Sequence, residues 1–448
     1  MNSHLYAGAA KKRITPSEKL LPDLRGLRDC RFGGVLDDLF VRVIAVGDGQ
    51  NKALIISFDL DKAPYPAENL EKISEQTGIP QENIFLLGTH THTAPVTGFR
   101  PEEPMNDVRL KPSEVQVATA EYEEFVIDAM FESIDQALGQ MCPARMGYGY
   151  EQSLINVKRN QYYEFVDENG KSHLEYNLGM DMQTPVDRTL FVMKFETLEN
   201  EPIAFFMNYP VHNCLMIGND CCHGEVGISG DISGYVCALL EDRFGGATAI
   251  WSSGAAGDIN PLIMNEMYYP DPEAGRVTMC TLSSGIACIL KVLSSRHYSD
   301  ILRGIYNIKC DIDQAPISGM VEWSYTPGRK VVEKESGEIE IIVGDTVDPY
   351  EIRLHLISIG DVALLGVSGE LYSSLGQKIK EASPIRNTIV INHDANHMAR
   401  CNYIFDDETI NIDVPVWLPG LKNSHILPGY VLDSLLMKTQ DMLSRKLN

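Results

Sequence analysis

An α/β fold, with mixed β-sheets flanked by helices, is what this sequence predicts, and three observations carry the prediction. Strand-like apolar runs alternate with helix-like runs along most of the 448 residues. Two pairs of strand-like runs are separated by little more than turn residues, at Glu199-Asn200 and at Gly360-Asp361, which makes them hairpins. Hairpins beside crossover helices require antiparallel and parallel pairing in the same sheets.

The strands are expected at Leu39–Val46, Ala53–Leu60, Asn83–Leu87, Thr189–Phe195, Ile203–Asn208, Ala247–Trp251, Ile352–Ile359, Val362–Val367 and Thr388–Asn392, each a short β-branched or aromatic run. Helices are expected where apolar residues recur at three- and four-residue intervals: Ala118–Leu138, Ile232–Phe244, Thr278–Leu293, Glu370–Ala382 and Pro428–Lys446. Two stretches fit neither period. Val96–Val115 is rich in proline and charge, and Gln161–Val186 reads as an exposed hairpin tipped by Asp167-Glu168-Asn169-Gly170. Such stretches in a compact α/β protein roof a site or form an interface. No internal repeat is visible.

Composition narrows the function. With 44% hydrophobic and 22% charged residues the chain is a globular protein rather than a disordered one. Its 62 acidic against 38 basic side chains leave a formal charge of −24, which repels phosphate backbones and anionic membranes, so no nucleic-acid partner is expected. The opening MNSHLYAGAAKKRITP lacks a signal-peptide apolar core, and nowhere do 18 apolar residues run together. No membrane insertion and a cytoplasmic location are expected. The ten cysteines show no repeated CxxC spacing and are expected to be small buried thiols, the adjacent Cys221-Cys222 included.

Polar clusters follow four strand-like segments: IFLLGTHTHTAP, IAFFMNYPVHNC, ATAIWSSGAAGDINP and VALLGVSGELYSS. Groups at the carboxyl ends of strands in open α/β sheets meet in one crevice, so the four are expected to share a site. In extended geometry His90 and His92 point the same way, which suits chelation or relay, or two hydrogen-bonded loop histidines. His212 reads either as a satisfied core histidine or as a ligand. Glu370 either complements the start of a helix capped by Ser368 or joins the histidines, since two imidazoles and one carboxylate with an open position make a catalytic zinc site. The HxHxDH pattern of binuclear hydrolases is missing, so one metal ion is expected rather than two. The glycine-rich Ser253–Pro261 stretch is either a tight turn or a cradle of amides for an oxyanion; without the P-loop lysine it is not a nucleotide site. Asp231, in Ile228-Ser229-Gly230-Asp231, either stands near the metal or caps the following helix.

These residues resemble the catalytic domain of the neutral/alkaline ceramidase family. The likeness rests on seven motifs in order: AGAAKKRITP near the start, THTHTAP at 89–95, NVKR at 156–159, NYPVHN at 208–213, ISGD at 228–231, GDINP at 257–261 and SGE at 368–370. The resemblance implies a single large catalytic domain spanning 1–448, without the family's secretion signal and C-terminal immunoglobulin-like domain. It also implies a zinc amidase with the ion on His90, His212 and Glu370. Tyr403 is expected as fourth ligand, with His397 as the alternative. His92 is expected to contact substrate or water and carry the proton, oriented by Asp231 or Asp258, while Arg159 lines the pocket. Asn260 stands where the family has a serine, so hydroxide formed at zinc, rather than a serine hydroxyl, is the expected nucleophile, with Asn260 and the Gly254–Gly257 amides bonding the oxyanion. The expected substrate is a small-molecule acyl amide, lipid-like or not. Ester or lactam hydrolysis at the same zinc, a metal- or ligand-binding protein without catalysis, and a thiol hydrolase built on Cys214 or Cys222 are the alternatives.

Overall fold

The computed structural model describes all residues except 1–3, 28–29, 99–111, 334–338, 345, 396–402, 413–415, 418–424 and 448. Its body is four layers deep: helices, an eight-stranded sheet, a four-stranded sheet, helices. The large sheet runs in the spatial order Thr248–Ser253, Pro202–Tyr209, Thr189–Thr197, Cys142–Gln152, Tyr6–Arg13, Phe40–Gly47, Lys52–Phe58, Ile84–Gly88. The small one runs Ile317–Thr326, Tyr350–Ile359, Val362–Val367, Asn387–Ile391.

Strand periodicity explains the layering. Along Phe40–Gly47 the side chains of Val41, Val43 and Ala45 face the helix Pro112–Gly139, whereas Ile44 and Val46 face the second sheet. The second sheet divides in the same way: Ile357, Ile359, Leu364 and Ile391 meet the first sheet, while Leu354, Leu356 and Leu365 meet the helices Ser373–Ala382 and Val431–Leu447. With both faces buried, these strands read as continuous apolar runs. The helices Asp231–Arg243 and Ile286–Asn307 cover the far end of the large sheet over Phe205, Met207 and Trp251.

Both sheets are mixed, as the hairpins implied. Thr189–Thr197 and Pro202–Tyr209 are antiparallel, as are Tyr350–Ile359 and Val362–Val367. Three neighbouring pairs are parallel: Lys52–Phe58 with Ile84–Gly88, Pro202–Tyr209 with Thr248–Ser253, and Val362–Val367 with Asn387–Ile391. Their carboxyl ends converge. The Asn392 amide donates to Ser253 O (2.9 Å), and the Gly88 amide to His393 O (3.3 Å), so strand ends from both sheets are stitched together.

Two expected helices start elsewhere. The first four residues of Thr278–Leu293 belong to a hairpin, Glu266–Asp271 with Arg276–Thr281, and the helix begins at Ile286 after Ser283 in the left-handed region (φ 54°). Ser368 does not cap the later helix: Gly369 turns the chain, Glu370-Leu371 pairs with Tyr403-Ile404, and the helix begins at Ser373. The expected exposed hairpin is present as Asn156–Val166 and Ser172–Asp181, turning at Asp167–Gly170. Most of Val96–Val115 lies outside the described residues.

Candidate metal centre

The site forms where the three parallel pairs end. Beyond Lys52–Phe58 and Ile84–Gly88 the pairing continues irregularly: Thr89 N donates to Phe58 O and His90 N to Leu60 O, both at 2.9 Å. His90 then adopts a left-handed backbone (φ 62°), so the extended geometry expected for Thr89–His92 is broken there. The imidazoles of His90 and His92 consequently meet edge to face rather than lying parallel, with their Nε2 atoms 3.2 Å apart.

His212 follows Pro202–Tyr209. Its amide donates to Ile259 O (2.9 Å) and its Nδ1 lies 2.8 Å from Ala256 O. That carbonyl can only accept, so Nδ1 carries the proton and Nε2 turns a lone pair into the site. Glu370 Oε2 lies 3.1 Å from His212 Nε2 and 3.5 Å from His90 Nε2, and the Tyr403 hydroxyl lies 3.5 Å from His212 Nε2. Two carboxyl-end residues that sequence reasoning passed over complete the shell. Asp61 Oδ1 is 2.7 Å from His90 Nδ1, and the ring of His393 stacks on that of His90 at 4.0 Å and 15°.

Electrostatics bind the cluster. Burial alone would lower the pKa of His90, but the carboxylates of Glu370 and Asp61 outweigh it and raise it to about 10. Burial lowers His212 to about 4, helped by Arg159, and pushes His92 well below its ordinary value, helped by the charge of His90. Burial opposes ionisation of Glu370, yet the imidazoles hold its carboxyl well below the usual range. Two carboxylates thus face one cationic ring in a closed space.

This donor set fits a zinc ion. The ligand atoms of His90, His92 and His212 lie within 4.8 Å of one another. Glu370 Oε2 is buried and approached by two imidazole nitrogens, yet among the described residues no hydrogen bond is aligned on it. A buried carboxylate oxygen left so is costly unless a cation takes it. Neutral imidazoles with a carboxylate are the donors that zinc selects.

Other expected site residues divide. Arg159 is buried, donates to Gly257 O and lies with its guanidinium 5.1 Å over the ring of Tyr403, on the wall of the cluster. Neither candidate carboxylate orients His92. Asp231 accepts from the amides of Met216 (2.8 Å) and Ile232 (2.7 Å), and Asp258 is taken by Ser373 and Lys158. His92 Nδ1 has no hydrogen-bond partner among the described residues. The glycine-rich loop is a joint rather than an open cradle, because the amides of Gly254 and Gly257 already donate to Tyr209 O and Leu371 O. Asn260 directs Oδ1 towards Cys214 Sγ (3.6 Å) and borders a cavity of about 210 Å³, lined also by Leu178, Met180, Met264, Met267 and Tyr268. Burial raises the thiol pKa of Cys222, which disfavours it as a nucleophile. His397 lies outside the described residues.

Residues 31–281 match the neutral/alkaline non-lysosomal ceramidase N-terminal domain, more than half of the chain, and the protein belongs to that family. Neutral ceramidase A of Dictyostelium discoideum is 26% identical over 205 residues, which are 43% of this chain and 26% of that protein. The chain therefore aligns with about a quarter of that curated relative's length. Neutral ceramidase from Pseudomonas aeruginosa shares the fold, with TM-score 0.68 and 14% identity over 99% of this chain and 75% of that one. A ceramidase complexed with C2 does so too, with TM-score 0.70 and 13% identity at the same coverages.

Proposed function

We propose that this protein is a zinc-dependent amidohydrolase that cleaves the N-acyl bond of a ceramide-type or other lipid-like amide. The observation that carries the reading is the buried Glu370 Oε2, faced by imidazoles of two other strand ends and engaged in hydrogen-bond geometry by none. His90, His212, Glu370 and Tyr403 would hold the ion. When bound, zinc supplies Lewis acidity, polarising a carbonyl oxygen and bringing the pKa of water towards neutrality.

The remaining residues have separable tasks. His92 is the least buried of the three clustered histidines and can take or give a proton at Nε2. Arg159 braces the Tyr403 ring and favours negative charge on its oxygen, which burial otherwise opposes. Asn260 shares a recess of mixed character with Gln161 and Glu266 on one hand and Met180, Met264 and Met267 on the other, which offers an acyl amide both polar and apolar contacts. Family membership supports the reaction class. Among the described residues no helix is long and apolar enough to cross a membrane. Metal analysis paired with a panel of acyl amides, esters and lactams tests the proposal. One zinc per chain, with amide turnover abolished by a chelator and restored by zinc, is expected; stoichiometric zinc without turnover of any acyl compound would favour a binding protein instead.

A further inference from the structure

Two histidines in the cluster turn Nδ1 to a backbone carbonyl, and one of them meets a carboxylate as well. His212 is held by a neutral carbonyl, Ala256 O, at 2.8 Å. His90 Nδ1 lies 3.3 Å from a carbonyl too, Asp61 O, and in addition 2.7 Å from the carboxylate oxygen Asp61 Oδ1. We propose that Asp61 is the positioning residue of His90: its carbonyl accepts the Nδ1 proton, its carboxylate sets a negative charge against the same edge of the ring, and together they aim the Nε2 lone pair at the metal. The inference rests on the zinc reading above and adds to it the device that makes one ligand stronger than the other.

The topology supplies the contact. Asp61 and His90 lie just beyond adjacent parallel strands, and the His90 amide donates to Leu60 O (2.9 Å), which sets the two side chains against each other. Both are almost wholly buried, so water does not compete for the contact. Gly88, between them, has no room for a side chain: a Cβ there would lie 2.6 Å from Asp61 O. Among the described residues the other cation paired with Asp61 is Lys62, whose Nζ lies at 3.9 Å, too far to hold the carboxylate as closely. A carboxylate behind a ligating imidazole fixes its tautomer and raises its basicity, and losing such a partner typically weakens metal binding about 10- to 100-fold.

Zinc affinity, measured by competition with a chromogenic chelator, tests this independently of turnover, together with the melting temperature of the zinc-free protein. Asp61→Ala is expected to weaken zinc about 10- to 100-fold and to speed its dissociation. The near-isosteric Asp61→Asn, which keeps an acceptor but no charge, is expected to fall between it and the wild type and serves if the alanine variant does not fold. Asp59→Asn removes the same charge two residues away and is expected to leave zinc affinity within about twofold, because Asp59 engages Arg42 rather than a histidine. Wild-type affinity in Asp61→Asn, or an equal loss in Asp59→Asn, overturns the positioning role while leaving the zinc site standing. A wild-type protein that binds no zinc overturns the site itself, and the inference with it.

Discussion

Gly257→Ala adds one methyl group between two proposed ligands. Gly257 lies where the loop after Thr248–Ser253 crosses Glu370-Leu371, and an added Cβ would stand 2.5 Å from Glu370 O and 2.7 Å from Tyr372 Cδ1. Ordinary carbon contacts begin near 3.5 Å, so backbone must move by about 1 Å. The loop has little freedom to yield: Gly257 N donates to Leu371 O (2.9 Å), Gly257 O accepts from Arg159, and the preceding carbonyl, Ala256 O, holds His212 Nδ1. Overpacking of this kind costs about 1–3 kcal/mol. The opposing gain from a stiffer unfolded chain is about 0.4–1 kcal/mol, available because the glycine is not in the left-handed region. The cost wins, and the variant is expected to be less stable by about 1–2 kcal/mol in urea unfolding with chelator present. Because metal–ligand distances tolerate only about 0.2 Å, zinc affinity is expected to fall at least tenfold as His212 and Glu370 are pushed apart. Wild-type stability with wild-type zinc affinity would show that the loop and strand are not in the contact described.

Three further outcomes follow from the same contacts. Tyr403→Phe, which removes the hydroxyl 3.5 Å from His212 Nε2, is expected to weaken zinc about tenfold or more while His397→Ala does not; the reverse result in a zinc titration transfers the fourth ligand to His397. Arg42→Met leaves Asp59, now paired at 2.6 Å, buried without its cation, although Lys11 still reaches Glu241 at 2.5 Å; a loss of about 3–5 kcal/mol in urea unfolding is expected, and a loss under about 1 kcal/mol excludes this account. Burial raises Asp231 from 3.8 to about 7 although amides bond its oxygens. The folded chain keeps a proton that the unfolded chain releases, so this stability is present below about pH 4 and lost as pH rises through about 7. Asp231→Asn escapes that loss, and the wild type's advantage over it should shrink by up to about 4 kcal/mol between about pH 4 and pH 8; a constant difference refutes it.

Burial makes some elements legible and pairing hides others. The nine expected strands appear within one or two residues of their expected limits, because an apolar run bounded by turn residues is what a two-faced buried strand needs, whereas Cys142–Gln152 and Ile317–Thr326 in the same sheets were not expected. Tyr6–Arg13 was not foreseen: alanine, glycine and lysine give it little β-propensity, and it is a strand because Phe40–Gly47 pairs along its whole length. Arg276–Thr281 misled for the opposite reason, since its apolar residues suit either period and only its partner Glu266–Asp271 decides. Glu370 was foreseen as a ligand on the wrong scaffold, a helix start, because a two-residue bridge to Tyr403 has no signature in sequence.

The site divides along the same line. His90, His212 and Glu370 follow apolar runs directly, so the rule that polar groups gather at strand ends reaches them. The rule reaches Asp61 and His393 equally, in FDLDKAP and INHDANH, yet nothing in either stretch says that its strand lies parallel to the one bearing His90 or Glu370. Parallel pairing is the property that decides, because it sends both carboxyl ends to the same edge, whereas a hairpin sends them to opposite edges. Each parallel pair brings two loops to one edge: Asp61 with His90, His393 beside Glu370, and the Ala256 carbonyl with His212. The partner loop supplies the Nδ1 acceptor in two of the three, so the contacts that orient these imidazoles are encoded in the pairing of strands and not in the motifs that contain the histidines.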